Sequence, residues 1–166
     1  MDVEAANALM TEAGYSESTP LQIRLIVLSA YPDWVAACEV VKEMLEQSYF
    51  SVTIEQVADT SRYTTQDFDM AMISVGLTTK FNSYAQLYDD STGLNQSGID
   101  DPDVQAAFAA MTDEATTQAA MKAATESRAY IPIYYPTTFF AFDANVNPGP
   151  FYTQFSAFMY RDFSWK

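Results

Sequence analysis

Hydrophobic and polar positions in the first 57 residues form alternating helical and strand patterns. Apolar residues three and four apart predict a helix over residues 3–13, which Gly14 ends. Pro20 precedes LQIRLIVL, whose second half is apolar on both faces, as in a strand inside a parallel sheet. A second helix is predicted from Pro32 to about Gln47, followed by a second strand, FSVTIEQV. These segments predict a right-handed β-α-β unit.

The following residues, 58–100, contain one more strand pattern and a long polar stretch. Residues 58–67 are polar, which predicts a loop or one helical turn. FDMAMISV predicts a third strand that is again apolar on both faces. Residues 76–100 are rich in Ser, Asn, Asp and Gly, so we expect mainly loop, with a turn near Tyr84–Leu87.

The last third of the chain begins with helical patterns and ends in aromatic segments. Asp101 is predicted to cap a helix, and the helical pattern continues to about Arg128, with Thr116 as the cap of a second helix. IPIYYP and TTFFAFDANV are strand-like, but their prolines place them at a sheet edge or outside the central ladder. Residues 147–150 predict a turn. The aromatic tail FYTQFSAFMYRDFSWK is either a last strand or a segment that packs on another surface.

Composition excludes several classes of function. The chain has 166 residues and a net charge of −14, which argues against nucleic acids and anionic membrane surfaces as partners. It has no histidine, the commonest general base and metal ligand. The only cysteine, Cys38, shares a helix face with Trp34 and Val41, so we expect a buried side chain. No nucleophile elbow, phosphate loop or dinucleotide fingerprint is present, and we expect no enzyme, cofactor or metal site.

Five segments follow one another in a recognisable order. They are AANALMTEAGY, PLQIRLIVLSAYPDWVAACEVVKEMLE, QDFDMAMISVG, SGIDDPDVQAAF and YIPIYYPTTFFAFDANVNPG. Their order resembles the second, C-terminal lobe of the peptide/nickel class (family 5) of extracytoplasmic solute-binding proteins of ABC importers. The resemblance implies an α/β fold, a periplasmic-binding-protein type II-like lobe with a mixed open sheet flanked by helices. Residues 1–166 would form one such lobe, half of a two-lobed protein.

The resemblance also implies a function. This lobe would bind oligopeptides or similar small solutes without catalysis, by hinge closure of two lobes around the ligand. Its implied partners are the solute, the N-terminal lobe of the parent protein and the membrane subunits of an ABC importer. The parent would work outside the cytoplasmic membrane, although the N-terminal sequence MDVEAANALMTEAGY lacks the features of a signal peptide.

Ligands of open parallel α/β sheets bind beyond the carboxyl ends of the strands. If the first and third strands are parallel, residues 29–34 and 76–84 meet at that edge, where the family has its cleft. The candidate ligand-binding residues are Tyr31, Trp34, Gly76, Lys80, Phe81 and Asn82. The two aromatic rings of the first loop offer flat apolar surface, and the amides of residues 32–35 could hold an anion. The alternatives are a core role for Trp34 and an ordinary solvated loop for Tyr31, Lys80 and Asn82.

Lys80 departs from the pattern of the family. Many peptide-binding members have an aspartate a few residues after the cleft glycine, where it pairs with the α-amino group of the peptide. Here Gly76 is followed by LTTKFNSY, and Lys80 stands about where that aspartate falls. A lysine repels an ammonium group and attracts a carboxylate or phosphate. This residue therefore argues against peptides with a free amine as ligands, and a preference for N-acylated peptides would support the replacement of the aspartate by Lys80.

Two other classes of function stay open at the level of sequence. One is a structural or protein-interaction module of the same fold, with the aromatic C-terminal segment as its contact surface. Such a face would mark a lobe–lobe interface or cause self-association. The other is an acid–base hydrolase that uses paired carboxylates. The acidic residues 100–103 match no EF-hand spacing, and helix capping explains Asp101 and Asp103 better than calcium binding does.

Overall fold

The chain divides into two units, residues Met1–Ser74 and Val75–Lys166. The computed structural model describes residues 2–74, 87–88, 98, 101–135, 137, 139–149 and 162–166. No helix within these ranges combines the length and the apolar character needed to cross a membrane. That residues 1–166 form a single lobe stays a prediction.

The first unit follows the predicted order of elements closely. Asp2 caps the first helix by accepting a hydrogen bond from the Ala5 amide at 3.0 Å. Gly14 follows the helix with a φ of 91°, a backbone conformation that glycine adopts without steric strain. The elements are α1 (Val3–Glu12), β1 (Leu21–Leu28), α2 (Pro32–Leu45), a 3-10 turn (Glu46–Ser48), β2 (Phe50–Val57), α3 (Ser61–Thr65) and β3 (Met70–Ala71). The single turn α3 falls where the sequence predicts a loop or one helical turn.

The strands of the first unit form a parallel sheet in the order β2-β1-β3. β1 pairs with β2 over its whole length, from Leu21 opposite Phe50 to Leu28 opposite Val57. The predicted β-α-β unit and the parallel sheet flanked by helices are therefore confirmed.

The core of the first unit lies on both faces of β1. Leu25, Ile26 and Val27 are consecutive and all buried, as expected for a strand that is apolar on both faces. Cys38 of α2 is 0% exposed and packs in one cluster with Leu25, Val27 and Val52. The prediction that Cys38 is a buried side chain is confirmed, and the cluster fixes α2 against the sheet.

β3 is shorter than FDMAMISV predicts, because side chains take the hydrogen bonds at both of its ends. Only Met70 and Ala71 pair with β1. Before the strand, the Asp69 carboxylate accepts the hydrogen bond of the Arg24 amide at 2.7 Å. After the strand, the Met72 carbonyl accepts a hydrogen bond from the Tyr63 hydroxyl at 3.0 Å. An apolar pattern in the sequence cannot reveal that a side chain takes the place of a backbone hydrogen-bonding group at either end.

Two packed helices carry the described core of the second unit, α4 (Pro102–Ala109) and α5 (Glu114–Glu126). Asp101 caps α4 as predicted, accepting hydrogen bonds from the amides of Asp103 and Val104. The core side chains are Tyr88, Val104, Phe108, Ala120 and Ala124. The two alanines, four residues apart, are both fully buried, so α4 can approach α5 closely.

The prediction that Thr116 caps the second of these helices is wrong. Asp113 is the N-cap, and its carboxylate accepts a hydrogen bond from the Thr116 amide at 2.9 Å. The Thr116 hydroxyl in turn accepts a hydrogen bond from the Asp113 amide at 3.0 Å. Thr116 is thus the second partner of a capping box, three residues inside the helix end.

The prediction of strands in IPIYYP and TTFFAFDANV is also wrong for most of their described residues. Only β4 (Val146–Asn147) forms there, and it pairs antiparallel with β5 (Ser164–Trp165), near the end of the aromatic tail. Tyr135 is 77% exposed and Phe139 is 89% exposed. Among the described residues, these two side chains have no covering surface that would hold this part of the pattern as a strand.

Candidate functional site

The parallel strands of the first unit end at one edge, where the direction of the chain connections reverses. β1 leads through α2 to β2 on one side, whereas the next strand, β3, lies on the other side of β1. The carboxyl ends of β1 and β3 therefore flank a topological switch point, where open α/β sheets bind their ligands. Residues 29–31 leave β1 at this edge, and residues 72–74 leave β3. We call the space between these two segments the switch-point crevice.

An aromatic pair follows the end of β1. The rings of Tyr31 and Trp34 stack with their centroids 4.2 Å apart and their planes at 20°. Trp34 packs against the core cluster around Cys38, while Tyr31 remains 44% exposed. The pair is thus anchored on one side and open on the other. The structure brings these two predicted residues together, and Trp34 serves the core at the same time.

The amides at the start of α2 are less available to an anion than the sequence suggests. Pro32 has no amide hydrogen. The amides of Trp34 and Val35 both donate to the Tyr31 carbonyl, at 3.0 and 3.1 Å. Asp33 adds a negative charge to the first turn. The predicted anion site at this helix start is therefore not supported by the geometry.

A buried tyrosine interrupts the pairing of β1 and β3 at their carboxyl ends. The Ile26 carbonyl accepts from the Met72 amide at 2.9 Å, so regular parallel pairing would next join the Leu28 amide to the Met72 carbonyl. Instead, the Tyr63 hydroxyl donates to the Met72 carbonyl at 3.0 Å, and the nearby Leu28 backbone acts to lower the pKa of the phenol. One hydroxyl group thus takes the carbonyl that the next step of the ladder would use, where the two segments leave the strands.

Burial sets the protonation state of two side chains of the first unit, Tyr63 and Cys38. Burial raises the pKa of the Tyr63 phenol, and the nearby Cys38 adds to the increase, while the hydrogen bond with Leu28 opposes it. Burial and the charge of Glu39 raise the pKa of Cys38 to about 11. Both side chains are therefore neutral at physiological pH, and Cys38 is not an activated nucleophile.

An ion-pair network holds the other end of β3. Arg62, next to Tyr63 in α3, pairs with Glu55 of β2 and lies 3.3 Å from the Asp67 carboxylate. Arg24 of β1 pairs with Asp67 at 3.0 Å and with Asp69 at 3.4 Å. The hydrogen bond from Arg24, with the charges of both arginines, holds the pKa of Asp67 below its usual range. Neighbouring residues of one helical turn thus secure β3 at its start and at its end.

The remaining candidate residues, Gly76, Lys80, Phe81 and Asn82, lie outside the described residues. Their roles stay predictions. Within the described ranges, no group of three Cys, Asp or Glu side chains is arranged to hold a metal ion. Helix capping accounts for Asp101 and Asp103.

Tyr63 is the functional candidate that sequence reasoning missed. It lies in the polar stretch SRYTTQ, where no periodic pattern marks it as buried. Its side chain is nevertheless only 3% exposed. The available signal is a single aromatic residue in a short polar segment between two strands. This signal does not distinguish a buried residue that bonds to the sheet from an exposed loop residue.

Comparisons with known proteins agree with this geometry. Residues 1–98 match the family described as "Bacterial extracellular solute-binding proteins, family 5 Middle". Comparison with curated proteins gives no match. The matched family is one of binding proteins, in agreement with the expectation that the chain is not an enzyme.

Two solved structures share the fold. NikA from Staphylococcus aureus in complex with Ni(L-His)2 has a TM-score of 0.64 at 19% identity, over 78% of this chain and 30% of its own chain. NikA from Brucella suis in complex with Fe(III)-EDTA has a TM-score of 0.58 at 22% identity, over 72% of this chain and 28% of its own. The alignments thus span less than a third of either NikA protein, and they confirm the similarity to a periplasmic-binding-protein type II fold.

Proposed function

From the premise that this chain belongs to family 5 of the bacterial extracellular solute-binding proteins, we propose that it forms one wall of a ligand-binding cleft. The observation that carries this proposal is the position of the Tyr31–Trp34 stack. It follows the end of β1, beside the topological switch point of a parallel sheet. An exposed ring on an anchored ring presents flat apolar surface whose conformation is already ordered, so binding costs little side-chain entropy.

The proposed mechanism is closure of two lobes around a small solute. The chain would supply one lobe, and the N-terminal lobe of the parent protein would supply the other. Ligand contacts on both walls would favour the closed form. That form would then dock on the membrane subunits of an ABC importer, outside the cytoplasmic membrane. Without the second lobe, a solute would make only part of its contacts, so this chain alone is expected to bind weakly.

Oligopeptides are the ligand class that we propose first. With Lys80 near the position of the family's amine-binding aspartate, peptides without a free amine are favoured. The metal chelates Ni(L-His)2 and Fe(III)-EDTA, named for the two NikA structures, are the second ligand class. This chain has no histidine, so a chelate would have to be held through its organic ligand.

An amide NMR titration of this chain tests the proposal. The probes are tetra-alanine, N-acetyl-tetra-alanine and the nickel–histidine complex, each up to millimolar concentration. We expect shifts for residues 29–34 and within residues 76–84, larger with the acetylated peptide than with the free amine. Binding of the nickel complex alone would reject oligopeptides but keep the cleft wall. If no probe shifts these amides, the cleft wall itself is rejected.

A second candidate function is a protein-interaction module. It is favoured by the exposure of apolar side chains in the second unit, which are Ile131, Ile133, Tyr134, Tyr135, Phe139 and Trp165. This surface would contact the N-terminal lobe in the parent protein and would cause self-association of the separate chain. Light scattering over a range of concentrations tests it, because a monomer at all concentrations would contradict self-association.

A further inference from the structure

We propose that Tyr63 is a positioning residue for the ligand-binding wall, because its hydroxyl group sets the separation of the two segments that border the switch-point crevice. The inference rests on the proposed function. Tyr63 is nearly fully buried, so we do not expect it to touch a ligand. Its effect would pass through the backbone of Leu28 and Met72, the residues from which the two segments begin.

The hydrogen bonds show why this separation depends on one group. A direct bond between the Leu28 amide and the Met72 carbonyl would continue the ladder of β1 and β3 by one step. The Tyr63 hydroxyl takes the Met72 carbonyl instead, so backbone pairing does not hold Leu28 and Met72 at ladder spacing. A side chain that comes from α3 would thereby set the separation of the two segments where the switch-point crevice begins.

Ion pairs and a ring contact restrain α3 and keep the Tyr63 hydroxyl in place. Its neighbour Arg62 pairs with Glu55 of β2 and with Asp67, which is itself paired with Arg24. The Tyr63 ring also lies 6.1 Å from the ring of Phe68. The hydroxyl is thus held at the ladder by contacts that involve β1, β2 and the segment before β3. A group held so firmly can transmit its position to the crevice.

Tyr63→Phe tests the inference, because it keeps the ring and removes only the hydroxyl group. Thr64→Val is the matched control, since the Thr64 hydroxyl donates only to Ser61 within the same turn. Hydrogen exchange is measured at Leu28 and Met72, with Val27 as a reference amide in the core. Affinity is measured for the probe that binds the unaltered chain most tightly in the titration above.

We expect Tyr63→Phe to accelerate exchange at Leu28 and to weaken peptide binding, while exchange at Val27 and the behaviour of Thr64→Val stay unchanged. The loss of affinity should be about threefold to tenfold. It cannot exceed the contribution of the hydrogen bonds removed, because a residue that does not touch the ligand acts only by shifting the conformational equilibrium.

Each other outcome counts against the inference. Unchanged affinity with faster exchange at Leu28 would leave Tyr63 a purely structural residue. Unchanged exchange would mean that the hydroxyl is not part of the ladder. Faster exchange at Val27 as well would show general destabilisation and not positioning. If the unaltered chain binds none of the probes, the proposed function fails first and this inference fails with it.

Discussion

Replacing Tyr31 by alanine separates binding from stability at the candidate site. The side chain stacks on Trp34 at 4.2 Å, yet 44% of its surface is exposed, so somewhat more than half is covered by the protein. Its side chain makes no capping hydrogen bond to α2. The substitution therefore removes one face of contact and leaves the core around Trp34 in place.

The cost in stability follows from the covered area. An aromatic side chain buries roughly 150–250 Å² when it is enclosed, so Tyr31 covers about 100 Å². At about 25 cal/mol per Å² this corresponds to about 2.5 kcal/mol. The unfolded chain already buries part of that surface, which lowers the figure by roughly 10–40%, to about 1.5–2.3 kcal/mol. We therefore expect Tyr31→Ala to reduce the free energy of unfolding by about 2 kcal/mol.

Urea unfolding followed by circular dichroism measures this loss, and Tyr31→Phe is the control because it keeps the ring. The control should unfold within about 0.5 kcal/mol of the unaltered chain, as expected for a surface hydroxyl. Binding of N-acetyl-tetra-alanine should weaken by about twofold to tenfold in Tyr31→Ala, the range expected for one aromatic contact.

Two results would refute this reasoning. A loss above about 3 kcal/mol would be that of a core residue, and the ring would not be free to meet a ligand. A loss near zero would mean that Tyr31 does not stack on Trp34 in solution. If the stability falls as expected and peptide affinity is unchanged, the stack is structural and the ligand lies elsewhere.

Three further predictions concern charge, reactivity and backbone conformation. Asp67 has a lowered pKa, so its carboxylate stabilises the fold above the ordinary pKa of about 4 and loses this effect as the pH falls through the lowered value. The stability difference between the unaltered chain and Asp67→Asn in urea should therefore shrink on acidification from pH 6 to pH 3, and a constant difference would contradict this. Cys38, with a pKa of about 11, should react with a thiol reagent at pH 8 only after unfolding, so rapid labelling of the folded chain would exclude its burial. Gly149→Ala should destabilise the chain more than Gly14→Ala in thermal unfolding. A Cβ at Gly149 would lie 2.9 Å from the Asp162 Cβ, whereas nothing lies within 4 Å of a Cβ at Gly14. Equal losses of stability would show that only the positive φ of both glycines matters.

The sequence predicts the first unit well because its patterns are strong and local. β1 and β2 are found at the predicted residues, and α2 begins at Pro32, where a proline fits the first turn. The patterns fail where described side chains of an apolar run are not buried. IPIYYP reads as a strand from side chains alone, but Ile131 and Tyr135 are exposed in the structure. Periodicity reports which residues could be buried, and it does not report whether a covering surface exists.

The same limit of sequence patterns applies to the residues of the candidate site. Tyr31 and Trp34 could be placed at the end of β1 because strand ends and helix starts are local features. Tyr63 could not be placed, because its role depends on Leu28 and Met72, which lie at the ends of two different strands. A hydroxyl that replaces a ladder hydrogen bond leaves no periodic trace in the sequence. Such a residue is found only when each backbone donor and acceptor at a strand end is assigned to its partner.

The short length of β3 has the same physical cause at both of its ends. Backbone pairing would draw the ends of β1 and β3 to ladder spacing and leave no room between them for a ligand. Side chains instead take the hydrogen bonds on both sides of β3, from Asp69 to the Arg24 amide and from Tyr63 to the Met72 carbonyl. The Arg24 amide and the Met72 carbonyl thus stay satisfied although the ladder ends there. Under the proposed function, β1 and β3 part at the switch point without leaving these groups unpaired, and the aromatic stack that follows β1 supplies the surface that a solute would contact.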